Sequence, residues 1–342
     1  MKVLLTGSEG YIGAVLRDRL LEHGHEVTGL DTGFFNECNF GAPPRPIPLI
    51  ACDIRHITPD DLCGFDAVLH LAALSNDPLG NLAPHLTHAI NTLGSLRLAE
   101  AARKAGVARF LFSSSCSLYG HGAEKGLNEE AEPNPQTPYA KSKIDFERVL
   151  ATMAGDDFSP VYLRNATAFG VSPRLRLDIV VNNLAGWAWT TGRIAMSSDG
   201  TPWRPLVHVD DIARAFVCAL EAPREAIHNQ AFNVGSSENN VQIRDIARKV
   251  QEHMPRCEIT FGHSDGDTRT YHVDFTKIET RLPGFGRARW TVDDGVAELL
   301  AAYKRLSFDD AAFNSRLYTR LKQIRHLQDT GRIDGDLHWI NP

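Results

Sequence analysis

The sequence predicts an α/β fold: a doubly wound parallel sheet with helices on both faces, followed by a second, smaller lobe. Two observations carry this. Short apolar runs of strand length alternate with helical patterns through the first half of the 342-residue chain, the order expected when crossover helices join parallel strands. A glycine-rich turn, Thr6-Gly7-Ser8-Glu9-Gly10-Tyr11-Ile12-Gly13, sits between the first strand and the first helix, where helix-terminal N–H groups can meet an anion.

Taken in order, Val3-Leu5, Glu26-Leu30, Ile47-Ala51, Ala67-Leu71, Phe110-Phe112 and Val161-Leu163 read as buried strands, because short apolar runs bounded by turn residues suit a sheet covered on both faces. Ile12-His23, Leu86-Ala105 and Tyr139-Met153 read as the intervening helices. Thr137 is the expected N-cap of the last of these and Pro138 its first residue. After Gly170 the alternation breaks: prolines flank an apolar helix near 179–190 and a short strand near Ile194-Met196. Helix 209–221 and the run Ala231-Val234 return to the first lobe. The expected division is therefore 1–170 plus 207–237, 171–206 plus 238–305, and a tail 306–342. In that tail Phe313, Leu317, Leu321, Ile324 and Leu327 recur three or four apart, the pattern of an amphipathic helix packed on the body.

Composition excludes several classes. A net charge of −6 argues against a nucleic-acid partner. No apolar run reaches membrane-spanning length. The chain enters its first strand at Val3, which leaves no room for a signal peptide. Six scattered cysteines show no metal-ligand spacing and read as reduced, packed thiols of a cytoplasmic protein. His85 and His88 lack further ligands nearby and read as surface residues, so no metal is expected.

Three groups of residues suggest chemistry. Gly7 permits the tight turn, Gly10 lets backbone approach a pyrophosphate, and Gly13 lets the helix pack on the sheet. Asp31 closes the second strand, eighteen residues after Gly13, where a carboxylate can accept both ribose hydroxyls of an adenosine. Residues 32–36 carry no arginine for a 2′-phosphate, which favours NAD over NADP; an aspartate there that merely closes a turn is the plainer alternative. Tyr139 and Lys143 stand four apart, on one helix face. An ammonium beside a phenol favours the phenolate, so Tyr139 can act as a base near neutral pH.

With Ser115 upstream, these residues resemble the extended short-chain dehydrogenases/reductases, in the branch of NAD-dependent nucleotide-sugar epimerases and dehydratases. The likeness spans about residues 1–305 and rests on TGSEGYIG at 6–13, Asp53-Ile54, HLAA at 70–73, SSSCSLYG at 113–120, YAKSK at 139–143, Asn182-Asn183-Leu184 and RPLVHVDD at 204–211. It implies a Rossmann domain with a nucleotide-sugar lobe. It makes Tyr139 the base toward a sugar hydroxyl, has Lys143 lower that tyrosine's pKa and bind the nicotinamide ribose, and has Ser115 hydrogen-bond the reacting oxygen. By the same likeness Gly7, Gly10, Tyr11, Ile12, Gly13, Asp31, Asp53, Ile54, Leu71, Ala72, Ala73, Ser75 and Asn165 meet NAD. Asn76, Ser117, Thr167, Asn182, Asn183, Arg204 and Arg269 face the substrate, Arg204 pairing with the sugar diphosphate through its fixed fork of donors. Family members commonly form homodimers through the helices near 86–105 and 139–153.

The chain departs from the family at two places. Cys116 and Ser117 stand where its 4,6-dehydratases carry an Asp-Glu pair, which puts dehydration in doubt, although 3,5-epimerases use a cysteine nearby. Thr167 replaces a frequent asparagine. The expected activity is NAD-dependent 4-epimerisation of a nucleoside-diphosphate sugar through a transient 4-keto sugar. A net C4 dehydrogenase/reductase or a 3,5-epimerase is the alternative. A cofactor-sensing protein without catalysis is disfavoured, since such proteins typically lose the tyrosine or lysine that this chain keeps.

Overall fold

A computed structural model describes residues 1–75, 79–80, 83–120, 126–263 and 270–340. Among these, seven strands form one sheet: β1 (Lys2–Thr6), β2 (Glu26–Asp31), β3 (Leu49–Ala51), β4 (Ala67–His70), β5 (Arg109–Ser115), β6 (Ser159–Asn165) and β10 (Gln230–Val234), in the order β10-β6-β5-β4-β1-β2-β3. Every pairing is parallel, the doubly wound architecture expected. Strand order reverses between β1 and β4, and such a switch point opens a crevice at the strands' carboxyl ends.

Alternation within the strands builds two cores. Leu5, Leu111 and Leu163 face one side with Leu16, Leu20 and Phe216, beneath α1 (Tyr11–Glu22) and the later helix Val209–Glu221. Leu4, Val68, Phe110 and Phe112 face the other side with Leu98 and Phe146, beneath α2 (Ser95–Lys104) and α3 (Pro138–Thr152). A period of two on strands buried on both faces yields this split directly. Thr137 caps α3 as expected, its Oγ1 accepting from Ala140 N at 3.2 Å, with Pro138 at the first position.

Several elements differ from expectation, each for a visible reason. β3 starts only at Leu49, because Pro48 has no N–H to give a ladder; its carbonyl accepts from Gly29 N instead. β5 runs on through Ser113, Ser114 and Ser115, which apolar patterning treats as loop. The helix expected over 86–105 is three stretches: Pro84–Thr87, a π-helical His88–Gly94, and α2. The tail is likewise broken, into Asp310–Asn314, Arg316–Tyr318 and a helix Arg320–Asp329. It is packed on the body, with Phe313, Ile324 and Leu327 buried and Leu317 and Leu321 half-buried. His85 and His88 are exposed, and all six cysteines are unpaired.

Beyond β6, β7 (Thr167–Phe169), β9 (Trp203–His208) and β11 (Asn240–Gln242) form a three-stranded sheet, and β8 (Arg193–Met196) pairs with β12 (Glu258–Phe261). A third core of Leu184, Ile246, Leu299 and Tyr303 fills the space between helices there.

One buried ion pair ties α3 to the sheet. Arg164 of β6 donates to Glu147 of α3 through Nε at 3.2 Å and Nη2 at 2.7 Å, and its Nη1 reaches Tyr119 Oη and Glu129 O. Glu147→Ala is expected to leave that guanidinium buried without its countercharge and to destabilise the fold by about 3–5 kcal/mol. Replacing both partners together, as Glu147→Leu with Arg164→Met, should recover most of the loss. Urea unfolding midpoints of the wild type and the two variants check this.

Candidate active site

At the switch point the ends of β1 and β4 are bound through one hydroxyl. Thr6 Oγ1 accepts the N–H groups of Leu71 and Ala72, both at 3.2 Å, and lies 2.8 Å from His70 Nδ1. His70 Nε2 meets Ser95 Oγ at 2.7 Å, and that hydroxyl gives its own proton to Asn91 O. Ser95 must therefore accept from His70, so His70 carries its proton on Nε2 and accepts from Thr6. Burial, aided by Lys143, pushes the His70 pKa down to about 3, which keeps the ring neutral.

The glycine-rich turn follows. Gly7 has φ +70°, and a Cβ there would lie 2.8 Å from Ala72 N and 2.9 Å from the Leu71 carbonyl carbon, so only glycine lets the turn pass so close to the end of β4. A Cβ on Gly13 would strike Gly7 O, which explains why α1 can pack against the turn. Behind it, the Glu9 carboxylate bridges Arg17 of α1 at 2.7 Å and Arg174 at 2.5 Å. Glu9 N donates to Asp31 Oδ2 at 3.0 Å and Gly33 N to Asp31 Oδ1 at 2.8 Å. Burial raises the Asp31 pKa, opposed by these two N–H donors.

The turn opens on a cleft of about 920 Å³. Gly7, Gly10, Tyr11, Ile12, Gly13, Asp31, Asp53, Ile54, Leu71, Ala72, Ala73, Ser75 and Asn165 all line it, with Ser115, Tyr139 and Lys143 beyond them and Ser117, Thr167 and Arg204 at the far side. The structure thus gathers nearly the whole expected site into one cavity. Tyr11 contributes backbone there, since its ring is buried and its hydroxyl donates to Gly170 O at 2.7 Å. The Asp53 carboxylate is held by the Arg55 fork at 3.0 and 2.7 Å.

Two expected substrate contacts lie elsewhere. Asn182 is wholly buried and spends its amide on backbone, donating to Arg176 O at 3.0 Å and accepting from Gly170 N at 3.0 Å. Asn183 donates to Leu177 O at 2.9 Å, and neither residue lines the cleft. Both hold the 170–177 connection through these bonds. Asn76 and Arg269 fall outside the described residues.

Lys143 is buried, with Nζ 2.8 Å from Ser113 O, 4.7 Å from the Phe112 ring centre and 5.6 Å from that of Tyr139. Burial pushes its pKa down to about 7, with Glu147 opposing. Ser115 Oγ accepts from Ser117 N at 3.1 Å, which leaves its own proton for a ligand oxygen. Asn165 Nδ2 donates to Ser113 Oγ at 3.0 Å, while its buried Oδ1 has no partner. Cys116 is buried, its thiol donates to Arg164 O at 3.0 Å, and burial raises its pKa.

Sequence reasoning missed three contributors. Asn91, in the π-helical stretch, binds Leu74 through both amide atoms and donates to Ser142 Oγ at 3.2 Å; Ser142 in turn donates to Tyr139 O at 2.7 Å. Arg176 lines the cleft, paired with Asp178 at 2.8 Å and donating to Ser75 Oγ at 3.3 Å. Arg320 reaches the cleft from the tail. None sits in a motif or at a telling spacing; only the Arg-x-Asp pair at 176–178 offered a local signal.

The fold and cleft are those of a dinucleotide-dependent enzyme, and residues 3–235 match the profile of the NAD dependent epimerase/dehydratase family. The chain belongs to that family. It is 30% identical over 299 residues to a UDP-glucose 4-epimerase of Corynebacterium glutamicum, covering 82% of this chain and 90% of that protein. It is 32% identical over 248 residues to one of Mycolicibacterium smegmatis, covering 69% and 77%. Among solved structures it is similar to MoeE5 in complex with UDP-glucose and NAD, at TM-score 0.76 and 27% identity over 89% of this chain and 99% of that one. An NAD-dependent NDP-hexosamine 5,6-dehydratase shares the fold at TM-score 0.79 and 23% identity over 89% and 98%. The residues here fit such a cofactor: a backbone turn that any Cβ would close, an unblocked helix N-terminus, and apolar walls from Leu30, Phe34 and Ile54 beside Asp31.

The depressed Lys143 pKa gives a stability test. The folded value lies below the unfolded one, so the cation penalises the fold fully at and below pH 7, and the penalty fades as pH rises toward 10. Lys143→Met should therefore raise the thermal midpoint of the cofactor-free protein near pH 7 by an amount worth a few kcal/mol, on the order of the pKa shift. The gain should shrink toward pH 10. Thermal unfolding across that range checks it, with turnover lost throughout.

Proposed function

We propose that the protein is an NAD-dependent 4-epimerase of a nucleoside-diphosphate sugar. The convergence of Tyr139, Lys143 and Ser115 with the glycine-rich turn on one cleft carries this reading. Tyr139 takes the proton of the C4 hydroxyl, aided by positive charge on Lys143, and returns it at the end. Ser115 gives its hydroxyl proton to the C4 oxygen. A nicotinamide cofactor held in this cleft would supply the hydride acceptor and donor that C4 needs. Gly7, Gly10 and Gly13 would hold its diphosphate, and Asp31 its adenosine ribose. Arg204, buried beside the Tyr271 ring at 6.0 Å, would anchor the sugar diphosphate while the 4-keto sugar turns its other face.

Epimerisation is favoured over dehydration because the two residues after Ser115 are a cysteine and a serine, not acids. Cys116 points away from the cleft into Arg164 O, and Ser117, which does line it, carries only a hydroxyl. The second group of elements, 171–206 with 238–305, would bind the nucleotide. Leu93 and Val149, exposed on the helices near 86–105 and 139–153, support pairing of two copies there.

Tyr139→Phe removes only the proton acceptor. It should lower kcat by about 10²–10⁴ while NAD affinity stays unchanged; steady-state kinetics with calorimetry would decide, and wild-type turnover would remove Tyr139 from the reaction. A substrate deuterated at C4, incubated with unlabelled NAD, should give inverted product that keeps its deuterium. NADH released in step with product would assign a dehydrogenase instead, and a 4-keto-6-deoxy sugar a dehydratase.

A further inference from the structure

Two guanidinium groups in the cleft carry donors with nothing to donate to. Arg176 Nη2 and Arg320 Nη1 are buried atoms without a hydrogen-bond partner, and both residues line the cavity, 7% and 2% exposed. Arg176 is at least paired with Asp178. Arg320 makes no ion pair among the described residues: its Nη2 donates to Arg174 O at 3.1 Å, and its plane covers the Phe35 ring at 4.3 Å. Asp178, the carboxylate that acts on it, is already paired with Arg176, and a buried cation without its own partner is costly. Burial and the neighbouring Arg176 push its pKa down to about 10.

Arg320 sits on the cofactor's side of the cleft. Gln323, three residues on, donates to Phe34 O at 3.0 Å, and Trp339 Nε1 donates to Thr32 O at 2.7 Å. Arg316 and Arg332 both pair with Glu37, at 2.8 and 2.7 Å. Arg55, which clamps Asp53, also donates to Asp336 O at 2.9 Å. The tail therefore grips the segment that follows Asp31 and the loop that holds Ile54. Arg174, whose carbonyl orients Arg320, pairs with Glu9 of the glycine-rich turn. The family profile ends at residue 235, well before this segment.

We propose that Arg320, with Arg176, receives the diphosphate of the nicotinamide cofactor opposite the glycine-rich turn, and that segment 306–340 is a strap that retains the cofactor. This rests on the reading of the cleft as an NAD site. A diphosphate supplies the missing acceptors in number and charge, and a guanidinium fork suits it. The strap's other contacts hold the adenosine half of the cleft closed over Ile324, Phe34 and Phe35.

The test uses cofactor-stripped full-length protein, titrated by calorimetry with NAD, ADP, adenosine and UDP. Arg320→Gln should weaken NAD and ADP by about 10–100-fold, as expected for losing a charge-assisted hydrogen bond, and leave adenosine and UDP unchanged. Arg320→Lys, which keeps the charge but not the fork, should fall between. Unchanged NAD and ADP affinity overturns the proposal. So does equal weakening of adenosine, which would mean that Arg320 only supports Phe35, or weakening of UDP alone, which would assign it to the sugar nucleotide. Failure of the wild-type protein to bind NAD would sink the cofactor reading itself. Should the variant not fold, hydrogen exchange on wild type decides: NAD must slow exchange over 320–329, and no change there overturns the strap.

Discussion

The Thr6 hydroxyl holds together the two strand ends between which the site is built. β1 and β4 pair in parallel with Thr6 opposite His70, and their chains then depart in different directions. Past the last ladder bond, Leu71 N still reaches Thr6 O at 3.2 Å, but Ala72 N has no backbone partner among the described residues. Thr6 Oγ1 takes both, at a place where an unsatisfied donor costs about 1–3 kcal/mol. That closeness dictates the rest. The turn after β1 must pass so near residues 71–72 that a Cβ at Gly7 would collide with them. The same approach puts the N-terminus of α1 and the backbone of 71–73 along one cleft.

From this junction a continuous set of buried hydrogen bonds runs to the proposed base. His70 passes from Thr6 to Ser95, Ser95 to Asn91, Asn91 to Ser142, and Ser142 to the Tyr139 carbonyl. Along the way Asn91 fixes the backbone of Leu74. The distance between the glycine-rich turn and Tyr139 is thus set by side chains on five elements, in a low-dielectric interior where each bond is stronger than in water. The π-helical turn matters here, because it carries Asn91 into that network, consistent with the functional placement of such turns.

What could be read from the sequence was whatever repeats locally. Strand–helix alternation predicted the sheet, Thr137-Pro138 the start of α3, and the spacing of Tyr139 and Lys143 their shared face. Residues whose meaning depends on distant partners could not be read that way. The family likeness puts Asn182 at the substrate, yet its amide binds Gly170 and Arg176, twelve and six residues away. Ser113 and Ser114 look like loop, yet they continue β5 because β6 supplies a full ladder beside them. Arg320 had no local signature at all; its role depends on Arg174, Phe35 and Arg176, which lie more than 140 residues earlier.

The buried cations separate into two kinds by their countercharges. Arg164 meets Glu147 at both nitrogens, which raises its pKa, and the pair serves to fasten α3. Arg17 and Arg174 share Glu9 behind the turn. Lys143 and Arg320 have no carboxylate within ion-pair reach among the described residues, and burial moves both pKa values down, to about 7 and about 10. A fold tolerates such groups only if something else gains from them. Both line the cleft, where charge on a ligand or on Tyr139 would supply what the chain does not. Arg176 belongs to both kinds, its Nε satisfied by Asp178 and its Nη2 open to the cavity. The lack of a carboxylate partner, together with a place in the cleft wall, therefore sets Lys143 and Arg320 apart from Arg164, Arg17 and Arg174, which are paired inside the fold.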